Sequence, residues 1–281
     1  MTETLTTLTQ LFALIFVVGS MAAMGLSLTM NQVIGPLRNG RLVLMALLAN
    51  FILVPALAYL INLVLSLDQS IEIGLVLLAT AAGAPFLPKL AQTAKGSVAF
   101  SVGLMVMLMV VTVVYIPIVL PLLLDGVEVN PWDIARSLIV LMLIPLAVAL
   151  FVRARWEELA GSAQPAFASA SNFSLIALMV LALVLNFSSM IDLVGSLGIL
   201  AGVIFIVGAL LTGLVLGGRE ADIRSVFALG TGQRNISAAL VVGAQNFDSD
   251  VLTYLIVIAV VGLIVLMPTA AELGRRADGA G

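Results

Sequence analysis

The sequence contains no histidine and no cysteine. Without cysteine there are neither disulfides nor thiolate metal sites, and without histidine the usual general base, haem ligand and zinc ligand are missing. Charge is also scarce: Asp, Glu, Lys and Arg make up 10% of 281 residues, against 62% hydrophobic residues and a mean hydropathy of +1.23. So few charges cannot solvate the surface of a water-soluble domain, so the solvent of this chain is lipid. No basic arm or patch for nucleic acid is present. Residues 1–10 carry Glu3 and no Lys or Arg, so they lack the basic n-region of a secretory signal, and the apolar run that follows is read as a retained helix.

What is there is a series of apolar runs. A spanning helix needs roughly 20 apolar residues, and nine segments meet that measure: 8–29, 41–65, 71–95, 96–124, 132–152, 167–190, 193–217, 222–246 and 250–271. Only helices or closed barrels satisfy backbone groups in lipid, and no ten-residue alternating pattern suggests a barrel, so the expected fold is an all-α integral membrane protein. With the N terminus outside, nine of the twelve basic residues fall inside: Arg38, Arg41, Lys95, Arg153, Arg155, Arg219, Arg224, Arg275 and Arg276. Only Arg136 falls outside, with acidic residues such as Asp68, Glu72, Asp125, Glu128, Asp192 and Asp248. That alternation is the positive-inside pattern with an odd number of spans and a cytoplasmic C terminus. It places the chain in a cell (inner) membrane.

Lys89 and Arg234 fit neither side. Both lie in segments carrying helix-disturbing residues: Gly83, Pro85 and Pro88 in the third, Gly230 and Gly232 in the eighth. Proline removes a backbone donor and clashes with the preceding turn, and each glycine lowers helix propensity by about 1 kcal/mol. Both segments are therefore expected to be discontinuous. They occupy corresponding positions if the chain is two inverted repeats of 4+5 helices, the first having lost its opening helix. Broken helices at matching positions point to the midplane site of a secondary transporter.

Arg234 sits in Gly230-Thr-Gly-Gln-Arg-Asn-Ile-Ser-Ala-Ala-Leu240, where a charge at membrane depth costs at least ~2.5 kcal/mol unless compensated. Arg224 marks the cytoplasmic boundary, and a rise of 1.5 Å per residue puts Arg234 about 15 Å in, too deep to snorkel easily. Lys89 is six residues from Lys95 and its long stem reaches toward the interface. For Arg234 the structural alternative is that its guanidinium binds carbonyls freed by the break at Gly230 and Gly232; for Ser101 it is a bond to a carbonyl of its own helix. Asn50, Asn172 and Asn186 read as hydrogen-bonding glue between helices.

Three stretches resemble the bile acid:sodium symporter family: Met24-Gly-Leu-Ser-Leu-Thr29, Lys95-Gly-Ser-Val-Ala-Phe-Ser-Val102 and Gly232-Gln-Arg-Asn-Ile-Ser-Ala-Ala-Leu240. They occur in the family's order along the whole chain. The resemblance implies a core domain with two unwound crossing helices, here 71–124 and 193–271, moving against a panel, here 8–65 and 132–190, in a nine-helix variant lacking the first helix. It also implies sodium ligands. By position, one serine ligand falls on Ser101 and an asparagine on Asn235. Leu87 and Pro88 beside Lys89, Gly230 and Arg234 stand where sodium-coupled relatives keep Ser-Asn, Glu and Gln.

Away from the span ends no acid remains to help hold Na⁺. The expectation is therefore sodium-independent carriage of a small organic anion across the bilayer by alternating access, without a cofactor. The anion would be bound near Arg234, Asn235, Gln233, Lys89 and Thr231, Lys89 and Arg234 doing the electrostatic work of missing ions. The alternatives are sodium-coupled symport through backbone carbonyls of the unwound segments with Ser101, Thr231 and Asn235, and an anion channel, since basic residues also line anion pores. An intramembrane enzyme would need paired acids, a serine with a base, or a metal centre. An arsenite carrier of the same superfamily would be expected to use a cysteine. Substrate identity, direction of transport and oligomeric state do not follow from these residues.

Overall fold

The computed structural model describes residues 2–124, 130–185 and 196–279. Asp125, Glu128, Asn186 and Asp192 lie outside the described residues. Within them every regular element is helical. Helix α1 covers Thr2–Ser27 and is followed by a short α2, Met30–Ile34, and a 3-10 turn to Arg38. Next comes a rod, Gly40–Leu65, made of α3 (Gly40–Leu48), a π-helical turn (Ala49–Leu53) and α4 (Val54–Leu65). Then follow α5 (Gln69–Thr80), α6 (Leu87–Thr93) and α7 (Val98–Leu123). A second rod, Pro131–Arg155, contains α8 (Pro131–Leu138), a π-helical turn (Ile139–Leu143) and α9 (Ile144–Arg155). The chain continues through α10 (Glu157–Leu185), α11 (Gly198–Leu216), α12 (Ala221–Gly232), α13 (Ile236–Asn246) and α14 (Ser249–Gly279).

Six described segments are long and apolar enough to cross a membrane: Thr7–Ser27, Gly40–Leu65, Val98–Leu123, Pro131–Arg155, Gly198–Leu216 and Ser249–Ala277. Their outward faces are aliphatic. Val64, Leu122 and Val215 are 76%, 74% and 81% exposed, a distribution stable in hydrocarbon and unfavourable in water. The third and eighth sequence segments each divide in two. At ~1.5 Å per residue their halves are about 18 Å or less, too short to cross alone. The sixth segment starts earlier than hydropathy indicates, because α10 opens at Glu157 with a polar first half.

Both π-helical turns precede a proline, Pro55 and Pro145. A proline lacks the N–H for the carbonyl four residues earlier and its ring crowds that carbonyl, and widening the helix by a residue relieves the clash. For Pro55 the orphaned carbonyl belongs to Phe51, and Tyr115 on α7 donates its hydroxyl to it at 2.6 Å. The widened turn contains Asn50, fully buried.

Helix α1 packs against α9 and α10, whereas the Gly40–Leu65 rod packs against α5, α7 and α11. The 8–65 stretch expected to act as one body therefore divides between two sets of neighbours. Helix α12 lies beside α6 and α7, while α13 lies beside α5, α14 and α1. Each half of one interrupted helix thus flanks the opposite half of the other, so the two breaks meet.

Candidate functional site

The first break, between α5 and α6, follows from Gly83 and Pro85. Gly83 adopts φ +79°, a left-handed conformation open to glycine, and a Cβ there would collide with the backbone of Met109 and Met105 on α7. Pro85 cannot donate to the Ala81 carbonyl; the Asn235 N–H does so instead, at 2.9 Å. Ala82 is served twice by Thr112, whose hydroxyl accepts from its N–H at 2.9 Å and donates to its carbonyl at 3.1 Å. Pro88 belongs to the first turn of α6, where a missing N–H is harmless.

The second break lies at Gln233–Asn235, after Gly230 and Gly232 rather than at them. Both glycines are helical, in the last turn of α12. Their role is close approach: a Cβ on Gly230 would meet Leu87 Cδ2 at 2.9 Å, and one on Gly232 would meet Leu266 Cδ2 at 3.1 Å. What restarts the helix is Asn235, whose Oδ1 accepts from the Ala238 N–H at 3.1 Å as the N-cap of α13. Its Nδ2 donates to the carbonyls of Ala82 and Gly83. Asn235 therefore cross-links the breaks, and it is not among the residues lining the cavity beside them.

Arg234 is 4% exposed. Its Nε donates to the Leu78 carbonyl at 2.9 Å and Nη2 to the Ala79 carbonyl at 2.8 Å. Nη1 donates to Asn50 Oδ1 at 2.8 Å and to the Thr231 carbonyl at 3.1 Å. Leu78 and Ala79 end α5 and Thr231 ends α12, so these are carbonyls that terminating helices leave without i+4 donors. Four of the five guanidinium N–H groups are thus directed at protein oxygens. The fork expected to grip a substrate carboxylate bidentately is turned inward. The freed carbonyls it binds come mostly from the first break, not only from its own. Thr231 donates its hydroxyl to the Phe227 carbonyl, and Ser101 donates to Val98 on its own helix. Neither lines the cavity described next.

A cavity of about 580 Å³ opens beside the crossing. On one side are the faces of α1 and α10, with Ser20, Met24 and Ser27 on the first and Gln164, Ala168, Asn172 and Leu175 on the second. On the other are Ala84, Pro85 and Phe86 of the first break, Gln233 and Arg234 of the second, and Ile236 and Ser237 opening α13. Lys89 projects from α6 into this space. Its ammonium has neither an ion pair nor a hydrogen bond among the described residues. The Ser237 hydroxyl, on a residue only 2% exposed, also has no hydrogen bond among them. The Gln233 Oε1 is buried and accepts none.

Of the residues expected at the site, Arg234, Gln233 and Lys89 line the cavity, while Asn235, Thr231 and Ser101 do not. Sequence reasoning missed Ser237, Gln164 and Asn172, and treated Asn172 as glue. The available signal was the spacing of Gln164, Ala168, Ser171, Asn172 and Leu175, one face of a helix, with polar side chains where lipid contact would favour aliphatic ones.

A helical membrane protein in which two interrupted helices meet beside a mainly apolar cavity carrying a few polar side chains has the architecture of a secondary transporter. Residues 11–194 match the Sodium Bile acid symporter family. The chain belongs to that family, whose members are transporters, not enzymes. The matched stretch begins in α1 and ends before α12 and α13, so the half of the crossing that carries Arg234 lies beyond it. A comparison with curated proteins returns no match.

Proposed function

We propose that this chain carries a small organic anion by alternating access without sodium, using nine spans arranged as 4+5 inverted repeats with the N terminus outside and the C terminus in the cytoplasm. The observation that carries this reading is the cavity, where Lys89 is the one lining cation not already committed to protein oxygens among the described residues. An anion seated there meets the Lys89 ammonium, the free Ser237 hydroxyl and the positive end of the α13 helix dipole. Arg234 lies behind as a fixed charge, contributing field rather than a grip. The apolar stretches on α1 and α10 suit the carbon body of the substrate.

The cavity is lined by the C-terminal half of α1, the N-terminal half of α7, Gln164 to Leu175 of α10 and the start of α6 at the first break. With the N terminus outside, the α1 and α7 parts fall in the cytoplasmic half, which makes this conformation open inward. Helices α1 and α8–α10 form the panel; α5–α7 and α11–α14, with the Gly40–Leu65 rod, form the core.

Sodium-independence is supported by the side chains that would have to bind the ion. Ser101, Thr231 and Asn235 all direct their polar groups at backbone, and acidic residues are absent among the cavity-lining residues. The second reading, sodium-coupled symport, is favoured by the name of the family itself. Proteoliposome uptake of organic anions, with Na⁺ replaced by choline, decides between them. Uptake that persists in choline is the expected result; collapse would establish the second reading. Currents far above carrier turnover would instead indicate a channel.

A further inference from the structure

We propose that the Arg234 guanidinium is a tethered monovalent cation seated in an oxygen cage that, without it, would bind a free one. This rests on the sodium-free reading above and supplies its structural cause.

The cage consists of the Leu78, Ala79 and Thr231 carbonyls and Asn50 Oδ1, all within 2.8–3.1 Å of guanidinium nitrogens. Every acceptor is an uncharged oxygen, and no carboxylate is among Arg234's partners. Oxygen-only sets of this kind suit hard cations. They also sit where two helices stop, α5 at Thr80 and α12 at Gly232. The negative ends of two helix dipoles therefore converge on one point, a geometry that favours positive charge. Such a cage is unfavourable when empty, because several carbonyls lacking their i+4 donors would face each other with no water to serve them.

The cage is built from outside the broken helices as well as within them. Asn50 is fully buried in the π-helical turn before Pro55, its Nδ2 is held by the Ala46 carbonyl at 3.0 Å, and its Oδ1 is thereby aimed at Arg234. The π-helical turn thus completes the oxygen set. Because the charge is attached to the chain, it neither enters nor leaves during a cycle. The two breaks stay joined in both directions of movement, and no ion gradient gates the return of the empty carrier.

The test uses the full-length protein and three forms: wild type, Arg234→Ala and Arg234→Lys, purified in detergent. Thermal unfolding is followed at constant ionic strength in choline, K⁺, Li⁺ or Na⁺ chloride, and with guanidinium chloride at low millimolar concentration. The wild type is expected to melt at one temperature in all of them. Arg234→Ala is expected to melt well below it in choline and to rise saturably, by several degrees, with a small alkali cation or guanidinium. Arg234→Lys, which keeps the tethered charge, is expected to be insensitive to added cations.

A flat response of Arg234→Ala to every cation overturns the proposal, as does sodium-dependent stabilisation of the wild type. Failure of Arg234→Ala to be recovered folded in any of these salts also overturns it, since the cage should then accept a substitute. No substrate enters this experiment, so it stands or falls apart from the uptake assay: choline-resistant uptake with a flat melting response would retain the sodium-free carrier and remove the cage.

Discussion

Thr112 is a single hydroxyl standing in for a stretch of helix ladder. Where α5 gives way, Ala82 loses both its backbone partners, and one threonine thirty residues further along the chain supplies both. In lipid no water can take over. Thr112→Val, nearly the same volume, should therefore lower stability by about 1–3 kcal/mol by leaving the buried Ala82 N–H unsatisfied, while the carbonyl keeps the Asn235 Nδ2 donor. Thr112→Ser, which keeps the hydroxyl, should avoid most of that loss. Melting in detergent reads this directly, and an unchanged melting temperature for Thr112→Val would mean that the break is sealed another way. Lys89 is the opposite case, a side chain with no protein partner among the described residues. Lys89→Gln should leave melting unaltered yet weaken anion binding about tenfold or more, as loss of a charged hydrogen bond implies. Titration of substrate-induced thermal shifts checks both halves of that statement.

At the scale of elements, Pro55 and Pro85 orphan carbonyls on the helices they interrupt, and distant groups decide whether those carbonyls are served. Pro55 removes the donor for Phe51, and Tyr115 replaces it at 2.6 Å. Tyr115→Phe should cost about 1–2 kcal/mol by leaving that carbonyl unpaired. Adding Pro55→Ala should recover part of the loss, because an alanine at that position brings back the missing N–H. A double-mutant cycle by thermal unfolding measures the coupling, and strict additivity would show the two sites to be independent. The first break is legible in the sequence for the same reason: Gly83 and Pro85 carry local signatures that no neighbour can override. The second lies a few residues beyond where the sequence points. Gly230 and Gly232 look like breakers, but glycine only lowers helix propensity by about 1 kcal/mol, and both stay helical where they pack closely on Leu87 and Leu266. The better signal is Asn235, a capping residue ahead of an apolar run.

For the whole molecule, the absence of cysteine becomes an experimental advantage, because any single introduced cysteine is the only thiol. With the N terminus outside, cysteines replacing Asp68 and Asp248 should react with a membrane-impermeant maleimide added outside, and those replacing Arg155 and Arg219 only after access to the cytoplasmic face. Asn172→Cys and Gln164→Cys, inside the cavity, should label from the cytoplasmic face and be protected by substrate. Labelling of Arg155→Cys from outside would reverse the assigned orientation. Labelling of the cavity cysteines from neither face would show that the space between α1 and α10 is not the substrate route.

The solvent and the helical class follow from the sequence alone, because hydropathy and length act locally along the chain. Arg234 is marked there too, as a charge requiring compensation. What compensates it depends on contacts that only the folded chain makes: Leu78 lies 156 residues away and Asn50 184. Hydropathy has no term for the direction of a guanidinium, and an anion in the cavity or oxygens behind it would satisfy the same charge. The breaks resolve that choice. Helices that end in lipid must hand their last carbonyls to some donor, and the meeting of the two breaks puts the last carbonyls of α5 and α12 within reach of Arg234. A residue that reads as a substrate hook therefore becomes the tie between two broken helices, leaving Lys89 and Ser237 to face the cavity.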